Sequence, residues 1–382
     1  MKGKCLLCGQ TLDSQSLLMS FSNMPSSAQN LPDLNGIKDD FSIQLDLYQC
    51  RSCGLVQFDC EPVDYYKKVI RAGGETSTMI NLRLHQYDNF VKKFNLSGKK
   101  VLEVGCGRGE FLKVWRNFPD IHAVGLEDSE ELVNAANNGG LTVYQGFIGS
   151  ARTLVKNAPY DAFVQFNFLE HQPYPNQMLQ GIYNNLTDNG VGLVTVPSLE
   201  YILQYDGYYE LIRDHIAYYS KETLSLLFEN NGFEIIDFHT VNRDTHAVYV
   251  KKRKKINIQN WMNNFDIIKK EVYSFVDSFI SKGEKVAIWG ASHQGFTLVS
   301  TLELSGKISY IIDSAKFKQG RYAPASHVPI VSPDYYLIEA VTAIIIVAPG
   351  YTDEIFEIIT KRFKPNVIVA TLRSNHLEIL NK

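Results

Sequence analysis

Residues 101–112 read "VLEVGCGRGEFL". Val101, Leu102 and Val104 make an apolar run of strand character. It flows into glycine at every second position, Gly105, Gly107 and Gly109. Glycine lets backbone come close to a ligand, and a helix that opens after such a loop offers free N–H groups. The GxGxG spacing departs from the GxGxxG of dinucleotide folds, so no pyrophosphate is implied. Glu103 sits inside the run, completing Glu-x-Gly-x-Gly-x-Gly. The next apolar run, "AVGLE", ends in Glu127, 24 residues after Glu103. A carboxylate at the tip of a second strand can accept two hydrogen bonds from a ribose diol. Glycine loop and acid together predict a pocket for S-adenosylmethionine, held by Glu103, Gly105, Gly107 and Glu127. The bland alternative is a merely tight strand–helix turn.

Outward from this motif the chain alternates strand and helix patterns. Strand runs appear at "KVLEVG", "AVGLE", "LTVYQG", "AFVQFNF", "VGLVTVP", "FEIIDFHTV" and "HAVYVKK", seven between residues 100 and 252. Alternation of this kind predicts an α/β fold with a parallel, doubly wound sheet. With the cofactor motif it is the pattern of a class I methyltransferase, Rossmann-like and seven-stranded.

The fourth run leads into "FNFLEHQPYP", which sets Asn167, Glu170 and His171 at the sheet edge where such folds bind ligands. Asn167 and Glu170 are candidate cofactor contacts. His171 is a candidate catalytic group or a structural contact. The fifth run ends at Pro197 in "VTVPSLEY", and "YYELIRDHIAYYS" (208–220) follows. Ser220 is placed to cap the next helix, with Thr223 in its first turn. Asp214 and His215 thus fall on the rim of the cofactor sheet. A carboxylate beside an imidazole fixes its tautomer and raises its basicity, so the pair reads as a general base near neutral pH. The alternative is a solvated turn before a helix.

Four of the six cysteines form two matched pairs, "CLLC" (Cys5, Cys8) and "CRSC" (Cys50, Cys53), each followed by glycine. CxxC turns give the bite of tetrahedral zinc, and two of them close a four-thiolate structural site with no open position. The 41 residues between the pairs must fold on themselves. Cys60 and Cys106 read as buried small hydrophobes. Residues 1–62 are therefore expected to form a zinc-binding module, and residues 63–255 the methyltransferase domain. The latter should open with a loop and a helix across 63–94. "KKRKK" (251–255) reads as a strand end entering a linker.

An amphipathic helix over 258–282 precedes a second alternating unit, "KVAIWGAS", "ISYIIDS", "TAIIIVAPG" and "NVIVATL". Residues 256–382 are thus expected to form a second α/β, Rossmann-like domain. Its first strand–helix turn carries His293 and Gln294, "KFKQGRY" adds Lys318, Arg321 and Tyr322, and "VAPGYTDE" adds Tyr351. These donors suit phosphate. The alternative is a scaffold with basic surface turns.

The composition is that of an ordinary globular chain of 382 residues, 45% hydrophobic, with a formal net charge of −3. That balance favours neither nucleic acid nor an anionic membrane. No apolar run approaches a membrane span, and "MKGKCLLCGQ" lacks a signal-peptide core. A cytoplasmic protein, monomer or homodimer, is expected, with its cysteines as thiols or metal ligands.

The cysteine pairs, "LEVGCGRGEF", "FLEH", "RDHIAYYSKETL", "WGASHQG" and "DSAKFKQGRYAPASHVPIVSP" together resemble the sugar C-methyltransferases that act on nucleotide-linked 4-keto-6-deoxyhexoses. The resemblance covers essentially the whole chain. It implies a zinc module, a methyltransferase domain and a C-terminal domain that binds the nucleotide diphosphate of the substrate. It also implies that His215 strips the proton next to the ketone and that the enolate takes the methyl group. The family carries Glu-His where this chain has Asp214-His215, and a tyrosine where Ile212 stands. These departures keep O-methylation of a capsule or surface-glycan sugar or precursor open as an alternative. A non-catalytic cofactor-binding scaffold is a more distant one. A nicotinamide dehydrogenase built on "WGASHQG" lacks GxGxxG.

Overall fold

The cysteine pairs are separated by extended chain with strand-forming residues, and in this computed structural model that chain is β-sheet. The structure describes residues 3–68 and 75–381. Residues 69–74 of the loop expected ahead of the first long helix lie outside the described residues. The chain forms two compact units, Met1–Lys255 and Ile256–Lys382.

In the first unit, β1 (Leu17–Pro25), β2 (Ser42–Gln49) and β3 (Val56–Phe58) pair antiparallel. α1 (Ser77–Phe94) is capped by Thr76, whose hydroxyl accepts from Met79 N–H at 3.3 Å. Asn95, left-handed at φ 53°, ends it. Its inner face buries Tyr87 and Phe90, and the Tyr87 ring stacks on Trp115 at 3.9 Å.

The expected runs follow as β4 (Lys100–Val104), β5 (His122–Glu127), α2 (Glu130–Asn138), β6 (Val143–Gln145) and β7 (Tyr160–Phe166). Then come α3 (Pro175–Asn184), β8 (Leu186–Pro197) and α4 (Leu199–Gln204). The two-residue β9 (Ala217–Tyr218) leaves this domain's sheet and pairs with β3. α5 (Lys221–Asn230), β10 (Phe233–Val241) and β11 (Thr245–Lys252) complete the unit.

All seven strand runs enter one sheet, ordered β10-β11-β8-β7-β4-β5-β6. It is mixed, which corrects the expectation of a parallel sheet: β11 runs antiparallel to both β8 and β10. Only residues 242–244 join β10 to β11, and a parallel crossover needs a dozen residues or more. The inner strands are apolar on both faces because helices cover both, and residues such as Val101, Leu102, Phe163 and Val164 are fully buried. β4 pairs with β5 on one side and β7 on the other. Connections diverge there, which opens a crevice at the carboxyl ends of β4 and β7.

The basic run ends β11. The Lys252 ammonium donates to the Leu186 carbonyl at 3.0 Å and lies 4.2 Å from the Tyr183 ring centroid. The second unit holds α6 (Gln259–Ile280), β12 (Val286–Trp289), α7 (His293–Thr301), β13 (Tyr310–Ile312), β14 (Ile330–Val331) and β15 (Ala343–Ile346). α8 (Thr352–Arg362), β16 (Ile368–Thr371) and β17 (Glu378–Ile379) close it. The order is β14-β13-β12-β15-β16-β17, with only β17 antiparallel. Among the described residues no helix is long and apolar enough to cross a membrane.

Candidate active site

The glycine loop leaves β4 with Gly105, Gly107 and Gly109 at φ 73°, 59° and 83°, the left-handed region in which a Cβ is costly. Space is also tight. A Cβ on Gly105 would lie 3.2 Å from the Phe168 ring, and one on Gly109 would lie 2.2 Å from Leu141 Cδ1. The chain then enters a 3₁₀ helix at Leu112–Asn117, where an α-helix was expected. Val114 N–H bonds to the Phe111 carbonyl and Phe118 N–H to that of Trp115, the three-residue spacing of a 3₁₀ helix.

Glu127, buried at the tip of β5, accepts from Gly107 N–H and from Ser129 N–H, each at 3.0 Å. Its carboxylate thus ties the glycine loop to the start of α2. Each carboxylate oxygen has two lone pairs, so acceptor capacity remains for a diol. Glu103 is fully buried within β4. Asn167 follows β7 at φ 46°, and its side-chain carbonyl accepts from the Thr195 hydroxyl at 2.9 Å.

Past Phe168, one turn of 3₁₀ helix at Leu169–His171 turns Glu170 and His171 into the protein. They meet His215, brought from the loop after β8. Nε2 of His171 and Nε2 of His215 each lie 4.0 Å from Glu170 Oε1. The two imidazoles are edge-to-face, with centroids 4.7 Å apart. The His171 Nδ1–H donates to the Asp214 carbonyl at 2.8 Å, which fixes its tautomer. Ile216 N–H donates to the Glu170 carbonyl at 3.0 Å, so backbone fastens the two loops together.

Asp214 does not do what its position suggests. Its carboxylate accepts from Ala28 N–H and from the Tyr65 hydroxyl, each at 2.7 Å, and so belongs to the N-terminal segment. The tight turn closed by His215 N–H and the Ile212 carbonyl sends neighbouring side chains to opposite sides. The expected rise in His215 basicity is corrected with it. Burial, and then the neighbouring His171, hold the His215 pKa well below 6.5. Burial lowers His171 to about 4, against the pull of the Asp214 carbonyl. Both rings are therefore neutral near pH 7. The side chain of His215 is 19% exposed and those of Glu170 and His171 only 2% and 3%, so His215 is the one of the three that reaches solvent.

Tyrosines frame the stretch. The Tyr218 hydroxyl both accepts from Ile212 N–H (2.9 Å) and donates to its carbonyl (3.2 Å), locking the turn. The Tyr219 hydroxyl is buried with no hydrogen-bond partner among the described residues. Ser220 caps α5 as expected, and Thr223 reciprocates by accepting from Ser220 N–H at 2.9 Å. Tyr65, Ala28 and Tyr218 were not singled out from the sequence. Aromatic doublets such as Tyr65-Tyr66 carry no spacing signal of their own.

The four cysteines of the two pairs converge. Their sulfurs all lie within 4.8 Å of one another, with Cys5–Cys53 and Cys8–Cys50 at 3.5 Å. The knuckles are alike: Gly9 N–H bonds to the Cys5 carbonyl and Gly54 N–H to that of Cys50, both glycines left-handed. Cys106 is buried, as expected, and Cys60 half-buried.

In the second unit, His293 and Gln294 begin α7 at the carboxyl end of β12, and exposed Tyr351 follows the neighbouring β15. Lys318 pairs with Asp313 at 2.9 Å, and Asp313 also accepts from Ala291 N–H at 3.0 Å. Arg321 donates from Nε to the Phe317 carbonyl at 3.0 Å. With Tyr322 it lines a cleft of about 420 Å³ alongside Tyr310, Tyr335 and Glu339. Of the six expected residues only Arg321 and Tyr322 line that cleft; His293, Gln294, Lys318 and Tyr351 do not.

Residues 51–237 match the model of a methyltransferase domain, and residues 249–366 that of a C-methyltransferase C-terminal domain. The C-methyltransferase NovU of Streptomyces niveus is 23% identical over 377 residues, which cover 88% of this chain and 89% of NovU. A SAM-dependent methyltransferase from Aquifex aeolicus aligns over 47% of this chain and 94% of its own, with 18% identity and a TM-score of 0.38. Magnesium protoporphyrin IX methyltransferase from Synechocystis PCC 6803 aligns over 50% and 93%, with 17% identity and a TM-score of 0.36. The chain is an S-adenosylmethionine-dependent methyltransferase and belongs to the C-methyltransferase family, in which a methyltransferase domain is followed by the C-methyltransferase C-terminal domain.

Proposed function

We propose that this enzyme methylates a carbon of a nucleotide-linked deoxy or keto sugar, with His215 as the base. The observation that carries this reading is the place of His215. It is the most exposed member of its cluster, neutral, beside a buried carboxylate and a second imidazole whose tautomer is fixed. A carbon next to a ketone becomes a nucleophile once a base removes its proton, whereas a hydroxyl needs far less help. A neutral imidazole takes that proton at its lone pair, the C–H electrons pass into the enolate, and the buried Glu170 carboxylate offsets the charge gained by the ring.

S-adenosylmethionine fits the crevice between β4, β5 and β7. Left-handed Gly105 and Gly107 carry no side chain over the backbone at the carboxyl end of β4, and Glu127 stands at the tip of β5. Gly105, Gly107, Glu127, Asn167 and Glu170, backed by buried Glu103, would hold the cofactor, which supplies an electrophilic methyl group when bound. Hydrophobic neighbours such as Phe168 and Tyr219 exclude water from the nucleophilic carbon.

The four cysteines suit structural zinc. Tetrahedral bonds of about 2.3 Å put sulfurs roughly 3.8 Å apart, near the observed spacings. The second unit would take the nucleotide end of the substrate, with His293, Gln294 and Tyr351 at the diverging strands β12 and β15. Lys318, paired with Asp313 next to Ala291, would join them, and Arg321 and Tyr322 in the separate cleft would offer a second set of donors. Turnover on a panel of nucleotide sugars, with NMR location of the new methyl, tests the reading. A methyl found on oxygen throughout would overturn it.

A further inference from the structure

We propose that Glu170, His171 and His215 form a divalent metal site of their own, suited to a first-row transition ion such as Zn²⁺ or Co²⁺. One ligand atom from each residue lies within 4.8 Å of the others. Glu170 Oε1 is 4.0 Å from Nε2 of each histidine. An ion equidistant from three atoms so spaced sits at most ~2.5 Å from each, a few tenths of an ångström beyond ordinary zinc–nitrogen and zinc–oxygen bonds. Small side-chain rotations close that gap.

The surroundings are those of a ligand set. The hydrogen bond from His171 Nδ1–H to the Asp214 carbonyl leaves the Nε2 lone pair facing Glu170, and metal-bound histidines commonly carry such a partner on their other nitrogen. The rings cross at 79°, so both Nε2 atoms converge on one oxygen where stacked rings would diverge. Two imidazoles and a carboxylate suit zinc or cobalt better than magnesium or calcium. Three protein ligands leave a further position for water or a small ligand. Entry is from the side of His215, the most exposed of the three. The four-cysteine cluster, all sulfur, is chemically distinct, so the two sites can be told apart spectroscopically.

A bound ion would occupy the lone pair that proton removal needs and so inhibit turnover. That consequence rests on His215 as the base; the site itself does not.

The test uses full-length protein whose metal content has been measured first, titrated with Co²⁺ and followed by visible absorption. One equivalent should give d–d bands without thiolate-to-cobalt charge transfer. Glu170→Gln and His171→Ala should each weaken this binding at least about tenfold. Both residues are buried, so His215→Gln, at the exposed side, serves as a third variant with the same expectation. Absence of these bands in the wild type overturns the proposal, as does unchanged affinity across the three variants. In parallel, Co²⁺ is added while substrate α-proton exchange is followed in deuterium oxide. Exchange that falls in step with cobalt occupancy supports the shared site. Undiminished exchange with cobalt bound would remove His215 as the base and leave the metal site standing.

Discussion

The Tyr65 hydroxyl donates to the Asp214 carboxylate at 2.7 Å, joining positions 149 residues apart in the chain. The carboxylate beside the proposed base therefore anchors the loop, and its influence on His215 passes through backbone. A hydrogen bond to a charged acceptor contributes about 1.5–3 kcal/mol. Asp214→Asn and Tyr65→Phe should each lower stability by about that amount, and the double variant by clearly less than the sum. Additive losses in denaturant titrations would dissolve the tether. Turnover should fall less in Asp214→Asn than in any His215 variant.

His215 itself carries the chemistry in this reading. A general base contributes about 10²–10⁴-fold in rate. His215→Asn should lose that factor in kcat while cofactor affinity stays level, and it should stop α-proton exchange in deuterium oxide. Near wild-type turnover would reduce the stretch to a turn ahead of α5.

Glu127 ties Gly107 to Ser129 and is proposed to accept from the cofactor ribose. Losing charge-assisted bonds of about 2–3 kcal/mol means roughly 30- to 150-fold weaker binding. Glu127→Ala should show that loss in calorimetry with S-adenosylmethionine. An unchanged dissociation constant would place the ribose elsewhere.

The cysteine cluster should hold one zinc ion. Cys50→Ser should lower the metal content measured by mass spectrometry and reduce the melting temperature. A fully oxidised, metal-free wild type with normal stability would contradict the assignment.

Arg321 lines a cleft apart from His293 and Tyr351. Arg321→Ala should raise the apparent KM for the sugar nucleotide, and His293→Ala should raise it further, with cofactor affinity unchanged in both. Loss of cofactor binding instead would reverse the roles given to the two units.

The seven strands of the methyltransferase sheet, and β12, β13, β15 and β16, were readable because branched apolar runs between glycine punctuation leave few other solutions; the two-residue β14 and β17 are too short to give such a run. The same holds for the Ser220 cap and the convergence of the cysteine pairs. The antiparallel β11 was missed because an apolar run looks alike in either direction, and only the short 242–244 link reveals it. The turn of Asp214 toward Tyr65 was also hidden. Adjacency in sequence says that two side chains are close, but a tight turn decides whether they face one another. The β1–β2 hairpin was not anticipated: Leu45 and Leu47 are buried in it, but Leu31, Leu34 and Phe41 between the strands stay exposed and blur the pattern.

Tyr218 and Ala217 pair with Val56 and Gln57, so the last strand of the N-terminal sheet is cut from the same loop as His215. Asn176 on α3 adds hydrogen bonds to the carbonyls of Leu6 and Leu7, between the first two cysteines. The cysteine-bearing segment is therefore no transferable cassette. Trimming it away, or grafting it from a relative, would expose a bare strand edge beside His215. Chimeras of this enzyme are better joined near residue 255, where the two units meet in sequence.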